Sequence, residues 1–231
     1  TDVFRVSLFS PKLKLHFNQF LVRVDHPRLF HTGMQWMFSE VFEAVDTLIE
    51  PDELRWIGFS HFEVDECGSL NQWLEAAPDA EPVCSQVCAE VNMADFADRP
   101  ARGLTPEETL ETGSYRFQFV PTPHLPHGWD AGVMFEQTQR TLLCSDIFHQ
   151  NGDVEPITDR TVIERVAESL RGYEDTPLAN YMPYSSHTHQ QLEKLADLDP
   201  RTLATMHGTT YRGDGATALR QFDEVMKEIY G

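Results

Sequence analysis

His61, Glu63, Asp65 and Glu66 stand within six residues of one another in "SHFEVDECGSL" (60–70), directly after the apolar run "LRWIGFS" (54–60). Carboxylates this close repel one another and lose solvation at the end of a buried strand; a bound cation removes both costs. Imidazole and carboxylate together suit a divalent transition ion better than calcium, which takes oxygen ligands alone. An acidic surface turn is the competing reading of so short a pattern, so the rest of the chain has to decide between them.

Further donors follow. "PTPHLPHGWDAG" holds His124 and His127 after one strand-like run, "LLCSDIF" puts Asp146 after another, and "LATMHGT" puts His207 after a third. One histidine after a strand is usually a satisfied structural side chain. Four apolar strands that each end in a ligand-capable residue favour a metal centre.

The elements that must carry these ends are legible from periodicity. "KLKLHFNQFLVRV" (12–24) alternates apolar and polar as a strand does, Asp25–Arg28 turns the chain, and "LFHTG" returns to Gly33. Met37, Val41, Val45 and Leu48 share one helical face within 36–49. Residues 54–60 read as a buried strand, with the acidic cluster in the loop after it. A helix is expected over 69–77 with Ser69 as N-cap, a strand over 82–85, a helix over 85–96 and a strand over 115–123. Residues 132–146 read as a hairpin turning near Thr138–Arg140. Helices are expected over 158–171, introduced by Thr158 or Asp159, over 187–197, and over 216–230, with "RTLATMHG" a strand between the last two. The segment 97–114, rich in proline, glycine and acids, is expected to be a mobile loop. Each half thus reads as a small sheet with helices outside it. Two such halves make an α/β, four-layer αββα sandwich in one domain over 1–231.

Composition narrows the function classes. The 231 residues carry a net charge of −19, which argues against nucleic acid and anionic lipid as partners. No apolar run is long enough to cross a membrane, and no secretory leader is visible. Cys67, Cys84, Cys88 and Cys144 read as ordinary thiols of a reducing, cytoplasmic compartment: Cys84 and Cys88 form a C-x3-C pair with no second pair to complete a zinc site.

These residues resemble the metallo-β-lactamase fold and, within it, the diiron branch of flavodiiron and oxygen-binding diiron proteins. The likeness runs from "NQFLVRVDHPRLFHTG" onwards. It rests on H-x-E-x-D at 61–65, on the 19-residue interval from His127 to Asp146, and on the 61-residue interval from Asp146 to His207, which are the family's own. The interval from Glu66 to His127, also 61, is one short of the usual distance. The glutamate in "HFE" separates this branch from the zinc hydrolases, which carry histidine there.

The resemblance implies two iron ions. His61, Glu63 and His127 would hold one, Asp65 and His207 the other, and Asp146 would bridge them. Glu66 stands where the family has a histidine, and is expected to coordinate in its place; the alternative is that it points away and leaves an open position for water or dioxygen. His124 is expected to lie outside the shell, His187 and His189 to be polar helix-start residues, His31 to be structural, and His149 to sit in an exposed loop. Tyr181 or Tyr184 could offer a proton or hydrogen bond to a bound ligand. The activity implied is binding of dioxygen, or nitric oxide, with its reduction or sensing. No FMN site is expected in this chain, which lacks a glycine-rich phosphate loop. Electrons would come from a donor or signalling protein, and a homodimer is expected. The alternative is a dinuclear zinc or manganese hydrolase of a thioester, lactone or similar ester.

Overall fold

The computed structural model describes residues 2–231, which form two compact units. The first comprises residues up to Leu8 and Phe17–Pro121. The second comprises Phe9–His16, the tip of the first hairpin, and Thr122–Gly231.

In the first unit the strands β1 (Val3–Ser10), β2 (Leu15–Val22), β3 (Arg28–Phe30), β4 (Trp56–Gly58), β5 (Glu81–Ser85) and β6 (Arg102–Leu104) lie side by side in chain order. β2 and β3 are antiparallel, with Phe20 opposite Phe30. From β3 onwards the strands are parallel. Parallel strands deliver their carboxyl ends to one edge, where the loops can carry function. β2 is the strand that the alternation predicts, and it is buried beyond what alternation alone requires: from His16 to Val22 every residue is buried, Asn18 and Gln19 included. Helix α1 (Phe38–Asp46) buries Val41 and Val45, and its Phe38 and Phe42 pack on Trp73 of α3 (Leu70–Ala76). Between them lies the short helix α2 (Val64–Cys67).

The segment 86–96 is helical but broken: α4 (Gln86–Cys88), a π turn (Ala89–Met93) and α5 (Ala94–Phe96). The segment 97–114, expected to be a mobile loop, is not loop throughout. It contains β6 and β7 (Thr109–Thr112), the latter paired antiparallel with β8 (Tyr115–Pro121). Gly103 explains why glycine sits in a strand here: a Cβ would lie 2.7 Å from the Gln86 Cα.

In the second unit β9 (Gly132–Glu136) and β10 (Thr141–Ser145) form the expected hairpin, its turn closed by the Glu136 carboxylate, which accepts from the backbone N–H groups of Thr138 and Gln139. β10 then pairs in parallel with β12 (Thr202–Thr205). β12 pairs with β13 (Thr210–Arg212), which pairs with β11 (Ile157–Thr158). Residues 157–158 are therefore strand, and helix α6 (Ile163–Tyr173) starts later than its periodicity suggested. Helices α7 (Thr188–Asp197) and α8 (Gly215–Tyr230) match expectation, and Asp214 caps α8 by accepting from the Thr217 N–H at 2.9 Å. All four cysteines are free thiols and buried.

Candidate metal centre

In the first unit β4 ends at Gly58, Ser60 and His61 follow it, and Glu63 is extended (φ −140°) before the chain turns into α2. The acidic cluster is thus half loop, half helix, correcting the loop reading. The helical turn carries Asp65 and Glu66. The carbonyl of Glu66 accepts from the Thr32 N–H at 2.7 Å, tying α2 to the end of β3. Ser69 does not cap α3: its hydroxyl donates to the Thr32 carbonyl at 2.8 Å and anchors the same turn.

The result is that Glu63, Asp65 and Glu66 each offer one oxygen, all within 4.8 Å of one another. Asp65 and Glu66 are buried, Glu66 completely. His61, 2% exposed, places Nε2 3.1 Å from Glu63 Oε2 and 3.9 Å from Glu66 Oε2. Its other nitrogen, Nδ1, lies 3.1 Å from Ser60 Oγ. Three carboxylates within reach of one another, with an imidazole nitrogen beside two of them, are donor types that suit a hard or borderline divalent cation. His31, expected to be structural, is fully buried with its Nε2 3.1 Å from the same Ser60 Oγ.

In the second unit β10 and β12 are parallel neighbours, so Asp146 and His207 emerge at one edge. A register shift between Leu143 and Ser145 and the left-handed Ser145 (φ 56°) set the direction in which Asp146 leaves the strand. The loops after the strands are bonded together: Met206 N–H donates to Ser145 O at 2.8 Å, and Gln150 N–H to His207 O at 3.1 Å. Gly208 (φ 104°) is demanded there, since a Cβ would lie 2.6 Å from the Gln150 Cβ.

Asp146 is flanked by both histidines, one to each oxygen. His207 Nε2 lies 3.2 Å from Oδ1, and His127 Nε2 3.8 Å from Oδ2. His207 Nδ1 donates to the His16 carbonyl at 2.8 Å, which leaves Nε2 as the available nitrogen. His16 is itself bonded to Asp153 at 3.0 Å. His124 is exposed, with φ 67°, in the turn that brings His127 round.

His149 corrects its expectation. It is 2% exposed, and its ring lies 4.8 Å from that of His207, centroid to centroid. It bonds Tyr173 Oη at 2.8 Å, Tyr181 Oη at 3.3 Å and Asn151 Oδ1 at 3.0 Å. Tyr181 also meets the His127 ring edge-on at 5.3 Å. Burial raises the Tyr173 phenol above its usual range; the charge of Asp146 adds to this and the bond to Asn151 opposes it. Tyr184 lies elsewhere, donating to Asp223 at 3.0 Å. That carboxylate also takes up His189, and His187 is exposed. Sequence reasoning missed Ser60, Tyr173 and Asn151. Ser60 directly precedes a ligand candidate and could have been singled out; Tyr173 and Asn151 carry no pattern of their own.

Residues 15–208 match the ODP family beta lactamase. A rubredoxin-oxygen oxidoreductase of Megalodesulfovibrio gigas is 26% identical over 203 residues, which cover 85% of this chain and 49% of that protein. The flavo-diiron protein FprA2 of Clostridium acetobutylicum is 22% identical over 250 residues, covering 99% of this chain and 60% of the relative. The solved rubredoxin oxygen:oxidoreductase from Desulfovibrio gigas superposes with a TM-score of 0.83 at 22% identity, over 98% of this chain and 60% of that one. A fragment of a diflavin flavoprotein from Nostoc, residues 1–254, gives 0.79 at 21% identity, over 98% and 91%. The chain spans about half to three-fifths of the length of the full-length relatives it matches. The α/β fold is of the metallo-β-lactamase type found in flavodiiron cores. With the match covering most of its residues, the chain belongs to the ODP beta-lactamase family.

Proposed function

We propose that this chain is a non-haem diiron domain that binds dioxygen, or nitric oxide, and takes part in its reduction or sensing. His61, Glu63 and His127 would hold one ion and Asp65 and His207 the other, with Asp146 bridging and Glu66 as an added carboxylate. The observation that carries the reading is Asp146, whose two oxygens face two different histidines, as a bridging carboxylate requires. The naming of a similar protein as a rubredoxin-oxygen oxidoreductase supports the ligand class. A glutamate at position 63 supports iron over an all-histidine zinc site, since carboxylate oxygen suits both ferrous and ferric ions.

When bound, the ion pair supplies the electrons and the Lewis acidity. The chain's own residues supply the geometry. The His16 carbonyl and Ser60 fix the ring orientations of His207 and His61. His149, held between Tyr173 and Tyr181, would wall the second unit's candidate ligands on one side, its ring against His207 and the Tyr181 ring against His127. Electrons would reach the site from a donor protein, a signalling protein would serve a sensing role, and the working unit would be a homodimer in the cytoplasm.

The test is anaerobic reduction of iron-loaded protein followed by exposure to oxygen. The reading expects the near-ultraviolet and visible charge-transfer absorption of ferric iron to return within the mixing experiment. A protein that purifies with zinc and without iron, shows no such change, and cleaves a thioester or lactone would be a hydrolase instead.

A further inference from the structure

We propose that His31 is a positioning residue that, through Ser60, fixes the ring tautomer of His61. The three side chains form one chain of contacts within the first unit. His31 Nε2 lies 3.1 Å from Ser60 Oγ, and Ser60 Oγ lies 3.1 Å from His61 Nδ1. All three are at most 2% exposed.

The far nitrogen of His61, Nε2, faces Glu63 and Glu66. To give a lone pair to a cation there, a neutral His61 must keep its proton on Nδ1. That N–H then donates to Ser60 Oγ, and the hydroxyl proton of Ser60 turns to His31 Nε2. His31 therefore acts as the terminal acceptor, with its own proton on Nδ1. The backbone holds this acceptor in place. His31 is left-handed (φ 65°), its N–H donates to the Gly58 carbonyl at 2.8 Å, and the next residue bonds α2. The order of protons along the chain rests on the metal reading above; the contacts themselves do not.

The probe is Zn2+ alone, added to the full chain with 15N-labelled histidine, well above the ordinary imidazole pKa. Long-range proton–nitrogen correlations read the tautomer, and chelator competition reads affinity. In the Zn2+-loaded wild type His61 is expected as a single Nδ1–H form; without the ion, the acceptor-only Glu63 carboxylate favours Nε2–H. Ser60→Ala and His31→Leu should each weaken Zn2+ binding by about 10–100-fold, the usual effect of removing a partner of a ligating histidine. With Zn2+ saturating, the His61 Nδ1–H of both variants should exchange faster with water than in the wild type. His31→Asn keeps an acceptor and tolerates the left-handed backbone, so it should retain most of the affinity. Unchanged Nδ1–H exchange and affinity in Ser60→Ala and His31→Leu would overturn the proposal. So would a loss of affinity that follows only a fall in the unfolding temperature of metal-free protein, with that exchange unmoved. A wild type that binds Zn2+ no better than Glu63→Ala, with Ser60→Ala and His31→Leu still weaker, would support the positioning role and remove the metal reading.

Discussion

Single residues divide into those whose chemistry the sequence announces and those whose role depends on burial. His61, Glu63, Asp65, His127, Asp146 and His207 stand out as candidates because each follows an apolar run, and runs of that kind become strands that end at a sheet edge. His149 was not legible: an imidazole after a strand looks the same in sequence whether water or Tyr173 surrounds it, and here it is buried between tyrosines. Arg28 is the opposite surprise, a fully buried arginine whose three guanidinium nitrogens have no hydrogen-bond partner among the described residues. It lies 4.2 Å from the Phe117 ring centroid, and burial lowers its pKa to about 9. A buried charge held mainly by an aromatic face contributes little net stability. Arg28→Met should therefore leave the thermal unfolding temperature unchanged or raise it; a fall of several degrees would refute this. Glu155 and Arg165 form a two-pronged pair at 2.7 and 2.9 Å. Arg165's bonds, followed by the Glu155 backbone, depress the Glu155 carboxyl to about 2, partly opposed by desolvation. A depressed carboxyl stabilises the fold above its unfolded pKa, and that contribution is lost as pH falls through the folded value. Glu155→Gln should cost about 0.2–1 kcal/mol at neutral pH, small because the pair is partly exposed. In denaturant titrations the difference should shrink below the ordinary carboxylate range and vanish near pH 2.

Elements were read well where period and length agreed and poorly where tertiary contact overrode them. The 132–146 hairpin and the helices α1, α7 and α8 follow their apolar periodicity. β2 was legible as a strand but not as one buried on both faces, because Asn18 and Gln19 look solvent-facing until neighbours cover them. β6 was missed because proline and glycine mark loops statistically, whereas Gly103 is there to let a strand approach α4. Gly103→Ala places a methyl against backbone rather than a yielding side chain. It should destabilise by about 1–3 kcal/mol in chemical denaturation, the range of overpacking costs. A loss within error of zero would show that β6 can retreat from α4 freely.

At the scale of the whole molecule, the net charge of −19 and the gathered carboxylates point the same way. A chain this acidic that still buries Asp65, Glu66 and Asp146 would gain stability from any cation that binds only the folded state. Removing metal with a chelator should lower the unfolding temperature, and returning ferrous iron under anaerobic conditions should restore it. The family was legible from intervals because ligand spacing is set by strand and helix lengths that the fold conserves in space. What each unit does with its ligands was not, because Glu66 replaces an imidazole with a carboxylate and spacing is blind to that exchange. The central claim is that Asp146 links two ions, and metal counting on wild-type and Asp146→Ala protein tests it most directly. Elemental analysis after anaerobic iron loading should find two irons per wild-type chain and at most one, weakly held, in the variant. Equal iron in both, or none in the wild type, would contradict the account.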